Sequence, residues 1–249
     1  MSGLRAIGLV ARRELQSYFL QPLAWVILTA LLLLNGLNFW AVIWNFNAYG
    51  ASSTELLRFF FGGILFWLPL LVSLPAIAMR LVAEERQSGT LETLLTAPVT
   101  EGQVAIGKYL AALVFFLVLW SPYVVYVFLV DRLGDIDWHA AACGFLGLVL
   151  VGGYLLSAAV AASALTRNQI VAAILGFVAV MGLFLAPFLL SFMAHDETWK
   201  KAWEYLDLLR TMDEMPRGIV DTRRLVYPLS GIVFFVFLTA RLIEAAKGK

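Results

Sequence analysis

Charge is what this sequence has least of. Only 14% of its 249 residues are Asp, Glu, Lys or Arg, against about 25% in soluble domains. With 61% hydrophobic residues and a mean hydropathy of +0.85, too little polar surface exists to enclose the apolar side chains in a water-soluble core. Cysteine is nearly absent as well. The single thiol, Cys143, lies inside an apolar run, which excludes an internal disulfide, makes no metal site and reads as packing. His139 and His195 are the only histidines, with Asp137 and Asp196 close by. A His beside an Asp can act as a base or a metal ligand, but both pairs fall at predicted ends of apolar runs, where solvated chain ends are the simpler reading. No catalytic residue and no metal ligand is expected. The net charge of +1 favours neither nucleic acid nor an acidic partner. The middles of the apolar runs hold no Asp, Glu, Lys or His, which argues against a proton-coupled carrier or pump.

What the sequence does have is length of apolar run. Six stretches, roughly 22–44, 57–79, 104–130, 141–165, 169–194 and 225–245, are each long enough to cross a bilayer. The fold class is therefore all-α: a polytopic membrane protein with six transmembrane helices. The first run lacks a small-residue cleavage site and is expected to stay in the mature chain. It carries Asn35 and Asn38. The second holds Pro69 and Pro75, which predict a bend or an unwound turn. The fourth is rich in Gly, Ala and Ser, which lets helix backbones approach closely. Ahead of them, residues 3–20 place Leu4, Ile7, Ala11, Leu15 and Tyr18 at steps of three and four, with Arg5, Arg12, Arg13 and Glu14 elsewhere. That pattern predicts an amphipathic helix with a basic polar side, suited to a membrane surface.

Six spans put both termini on one side. If that side is the cytoplasm, ten cationic residues lie inside and eight outside, six of the eight within the single loop 195–224. The balance predicts an N-in, C-in orientation. The loop has its own pattern. Trp199, Trp203, Leu206 and Leu209 fall near one side of a helix, predicting an interfacial connector, or alternatively a docking surface for an extracytoplasmic partner or a gate.

The segment Gly102-Gln-Val-Ala-Ile-Gly107-Lys108-Tyr109 imitates a phosphate-binding loop. Tyr109 stands where a small hydroxyl must reach Mg²⁺, and the segment enters a span instead of following a strand. Neither nucleotide binding nor ATP hydrolysis is expected of this chain.

One polar interruption stands out, Leu81 to Lys108. Leu81, Glu84, Glu85 and Ser88 can continue a helix beyond the second span, and Gly89 can end it in a left-handed cap. Thr90-Leu-Glu-Thr-Leu-Leu then predicts a second short turn with Leu91, Leu94 and Leu95 on one side, stopped by Pro98. Leucines on a short polar helix outside the bilayer suit a partner's groove.

The stretch "MRLVAEERQSGTLETLLTAPVTEGQVAIGKYLAAL" resembles the signature of ABC-2-type transporter permeases: a basic residue at the membrane exit, E-E-x-x-x-G-T-x-E-x-L-L-x-x-P, then G-K at the next span. More closely it resembles the gliding-motility permeases and their relatives. The proline-led "QPLAWVILTALLLLNGLNFW" fits that subfamily, and so does "MPRGIVDTRRLVYPLS" before the last span, although Pro228 stands where these relatives often carry a second aromatic. The resemblance implies a single ABC-2 transmembrane domain over 1–249, like that of type V exporters, with residues 3–20 as the elbow helix and 84–97 as the cytoplasmic coupling helix. It implies a pair of permeases, here a homodimer, with a pair of separate ATPase subunits that bind ATP and Mg²⁺, this chain binding no cofactor. Glu84, Glu85, Arg86, Gly89, Thr90, Leu91, Glu92, Leu94 and Leu95 would engage the ATPase, with a lesser contact from Arg167 in the turn "LTRNQ". Arg217, Gly218, Asp221 and Arg223 would form the extracytoplasmic motif. The implied function is ATP-driven export across the cytoplasmic membrane, the substrate unnamed. The alternative is a mechanical transmitter that drives an extracytoplasmic partner without passing a solute.

Overall fold

A computed structural model describes residues 3–49, 53–89, 99–134 and 136–247. Among the described residues there are helices and connecting turns and no strand. The helices are α1 (Gly3–Leu20), α2 (Pro22–Tyr49), α3 (Ser53–Gly62), α4 (Ile64–Ala78), α5 (Ala83–Ser88), α6 (Glu101–Trp120), α7 (Pro122–Gly134), α8 (Trp138–Ser163), α9 (Gln169–Met193), α10 (Glu197–Leu206), α11 (Leu208–Glu214) and α12 (Thr222–Lys247), with a 3₁₀ turn at Met215–Arg217. Six helical stretches are long and apolar enough to cross a membrane: α2, α3 with α4, α6 with α7, α8, α9 and α12. A bilayer core demands that backbone polar groups be satisfied within each segment, so helices are the form these runs take.

The centre of the bundle is α8. Its most apolar stretch is 83% buried within the chain, against 17% for α12, and α4, α6, α9 and α12 all pack on it. Small residues make this possible, as expected for the fourth span. A Cβ on Gly152 would stand 2.4 Å from the Phe116 ring, and one on Gly147 would stand 2.8 Å from the Met215 Sδ. Apolar side chains that remain exposed, such as Trp25, Leu33, Ile174, Val233 and Phe234, lie on the outward helices, where lipid replaces water.

The structure changes two expectations about span shape. No turn unwinds at Pro69 or Pro75; α4 runs through both, and both are buried in its packed face. The break comes earlier, at Gly63, whose backbone is extended at ψ 161°. A Cβ there would sit 2.7 Å from the Phe59 carbonyl oxygen, so glycine permits the break. The third span, expected as one helix, is interrupted at Ser121, because Pro122 starts a new helix well and continues an old one poorly.

The break at Gly63 leaves carbonyls at the end of α3 without helical donors. Asn38 of α2 answers one of them: its amide donates to the Phe60 carbonyl at 3.1 Å and to the Tyr123 hydroxyl, which itself donates to Phe60 at 2.8 Å. Asn38 thus secures a helix end.

The loop 195–224 is two helices, not one. Asp207 separates them and caps α11, its carboxylate accepting from the Leu209 N–H at 2.9 Å. None of α10 is buried, whereas Leu208, Met212 and Met215 are at most 1% exposed. The apolar anchor of this segment is therefore α11 and the 3₁₀ turn, wedged against α3 and α8.

Candidate functional site

At the end of the bundle that holds α1, three elements meet at one lysine. Helix α1 lies along α6, and Gly107 lets it come close: a Cβ there would fall 2.8 Å from Val10. The contact face of α1 is Ala6, Val10, Glu14 and Tyr18, at steps of four. Tyr18 of the expected apolar stripe lies on this face, whereas Leu4 is 83% exposed. Hydropathy ranks Leu4 above Glu14, but Glu14 has a cation to meet.

That cation is Lys108, which is 0% exposed. Its ammonium donates to Glu14 Oε1 at 3.0 Å and to the Leu81 carbonyl at 2.7 Å. Glu85 Oε2 lies 2.7 Å away, an ionic contact without hydrogen-bond alignment. One buried charge therefore joins α1, α6 and the segment after α4. Arg13 closes the cluster from the exposed side, donating to Glu85 Oε1 at 3.3 Å. Burial raises the Glu14 carboxyl above its ordinary value, Lys108 acts in the opposite sense, and the neighbouring Glu85 charge raises it further. A buried lysine with two carboxylates holds only as a group, because removing one member strands the others away from water. Arg13, Glu14 and Glu85 of the cluster line an open cavity of about 200 Å³, with Ser17, Tyr18 and Arg80 also on its walls.

The segment carrying Glu85 is pinned a second time. Ser163 at the end of α8 accepts from the Ala83 N–H at 3.2 Å and donates to the Met79 carbonyl at 3.1 Å. Arg86 donates to the Ala164 carbonyl. Arg80 and Glu84 form an i, i+4 ion pair at 2.8 Å. Gly89 closes α5 with φ 72°, the left-handed cap expected of it. Of the residues expected to engage an ATPase, Glu85 has both carboxylate oxygens engaged within the chain, Arg86 has one guanidinium nitrogen engaged, and Arg167 is exposed. Thr90, Leu91, Glu92, Leu94 and Leu95, with the remainder of the expected coupling helix, lie outside the described residues.

Sequence reasoning placed Lys108 in a phosphate-loop imitation and Glu14 on a polar face, so it missed the cluster. The available signal was a lysine several residues inside a predicted span, since a cation at that depth needs a named partner. The glycine and lysine of the imitation have structural uses: close approach of α1, and the ion cluster.

At the opposite end the expected motif is a set of local fixings. Gly218 ends the 3₁₀ turn with φ 78°. Asp221 accepts from the Arg223 N–H at 2.9 Å at the start of α12, and Arg217 pairs with Asp213. Arg224, not singled out in the sequence, donates to Glu214 at 2.8 Å. Asp213 also takes Arg58 of α3 at 2.7 Å. Asp137 and Asp196, the neighbours of the two histidines, cap α8 and α10, as solvated helix starts do. Cys143 is buried.

The family model described as ABC-2 family transporter protein matches residues 21–183. That region runs from the start of α2 into α9 and includes α5, Gly107 and Lys108. No curated protein matches the chain. With most of its length matched and six membrane-crossing helices around a packed centre, the chain belongs to the ABC-2 transporter family and is a membrane permease component of an ABC transporter.

Proposed function

We propose that residues 84–97 couple this permease to its ATPase subunit, and that the Lys108 cluster carries movement of that segment to α1 and α6. The observation that carries this reading is the buried ammonium shared by Glu14, Glu85 and the Leu81 carbonyl. A segment so tied cannot shift without moving both helices or breaking the cluster. Nucleotide-driven motion of the ATPases then biases two states of the spans. Burying each of Leu91, Leu94 and Leu95 in the ATPase would contribute about 1.5–3 kcal/mol.

In this reading the chain is a gliding-motility-type permease of the cytoplasmic membrane, N-in and C-in, acting as a homodimer with a pair of ATPases in export. Gly89→Pro with Leu94→Asp should abolish co-purification of the ATPase while membrane insertion persists; recovery at wild-type yield refutes the coupling assignment. In a Cys143→Ala background, Thr198→Cys should label with a membrane-impermeant thiol reagent in whole cells and Ser88→Cys should not. The reverse pattern overturns the orientation.

One observation favours a mechanical reading as well. The segment 195–224 is tied to α3 through Arg58–Asp213 and to α12 through Arg224–Glu214, so span movement reaches it directly. If the complex in vesicles moves no solute and a partner protein binds that segment, mechanical transmission replaces export.

A further inference from the structure

Two turns that are distant in sequence form one groove beside the Lys108 cluster. Its walls are Glu85 to Gly89 of α5 and its cap, Arg167 of the turn between α8 and α9, and Ala246 near the end of α12, around an open volume of about 340 Å³. The turns are locked together by the Arg86 bond to the Ala164 carbonyl and the Ser163 bonds to Met79 and Ala83. A partner therefore meets them as a single rigid surface.

Among the described residues the charge on that surface is one-sided. Arg86 and Arg167 are close enough for their charges to act on each other. The described carboxylates on the adjoining elements are already engaged: Glu85 with Lys108 and Arg13, Glu84 with Arg80, and Glu244 with Arg241. Among the described residues Arg167 has no acidic partner, and its side chain stands exposed. Two guanidiniums facing one cleft repel until an anion enters, and planar forks of donors suit a carboxylate.

We propose that this groove receives a carboxylate side chain of the ATPase subunit, held between Arg86 and Arg167. The inference rests on the coupling reading above and adds to it the chemistry of the contact. It makes the turn at 165–169 part of the main docking face, in place of a separate lesser contact. It also assigns charge selection to the arginines, leaving Glu85 to hold the segment in place.

The test uses the full-length permease and its ATPase subunit, reconstituted in lipid nanodiscs. Arg167→Glu, an exposed position with no internal bond to lose, should weaken ATPase binding by about tenfold. With Arg167→Lys, zero-length carbodiimide cross-linking should join position 167 to an Asp or Glu of the ATPase. Unchanged binding by Arg167→Glu overturns the proposal, and so does a cross-link that lands on Glu92 of this chain. Leu94→Asp separates the two levels of the reading. If it abolishes binding while Arg167→Glu does not, only the carboxylate site falls; if neither changes binding, the coupling assignment falls with it.

Discussion

The two ends of this bundle hold their charges differently. At the end bearing α1, one ammonium is wholly buried and shared by two carboxylates from separate elements. At the other end Arg58, Asp213 and Arg217 remain between 36% and 42% exposed on their side chains, linked as a chain of pairs. There the buried anchors are instead Leu208, Met212 and Met215. The first arrangement fixes a geometry through electrostatics around a buried ammonium. The second fixes it through packing and uses the ion pairs to orient a surface. A movement that must pass between elements without slack suits the first.

Four measurements would break or sharpen that contrast. Lys108→Ala should have the largest effect, about 3–5 kcal/mol of stability lost in detergent unfolding, because Glu14 loses its cation and Glu85 keeps only the exposed Arg13. Combining Lys108→Met with Glu14→Gln and Glu85→Gln should recover most of it; a triple variant as unstable as the single one would show that stranded charge is not what Lys108→Ala costs. At the opposite end Met212→Ala should cost about 2 kcal/mol or somewhat more by leaving a cavity under α11. Arg58→Ala should cost less than about 1 kcal/mol, since the pair it breaks is nearly half exposed; a larger loss would erase the distinction between the ends.

The smallest effect concerns pH. Glu14 has its carboxyl raised in the folded chain above the ordinary value of about 4.5. The folded state therefore binds the proton more tightly than the unfolded one. Its contribution to stability is fully present below pH 4.5 and is lost as pH rises through the raised folded value. Relative to Glu14→Gln, the wild type should lose stability with rising pH across that window. A gain would mean that the attraction of Lys108 outweighs burial.

Much of the fold was legible because the constraint is local. An apolar run of sufficient length must become a helix in hydrocarbon, and the ends read as solvated at Asp137 and Asp196 are helix starts. Gly89 was legible for the same reason, its left-handed cap being a property of one residue. The breaks were less so. Two prolines drew attention to α4, yet that helix runs through both, and the break fell at Gly63, where the absence of a Cβ mattered more than the absence of an N–H. The ion cluster was the least legible part. Glu14 and Lys108 are 94 residues apart, and neither has a local partner that would mark it.

The sequence by itself determined that the chain crosses a membrane repeatedly as helices, and that a glycine-terminated polar segment follows the second span. These follow from hydropathy and backbone geometry, which act within a few residues. Tertiary structure alone decided which charges are buried, which face of α1 turns inward, and that the turns around Gly89 and Arg167 share one groove. Those depend on which distant surfaces meet once the helices pack, and only proximity in space sets the strength of a charge's interaction with another.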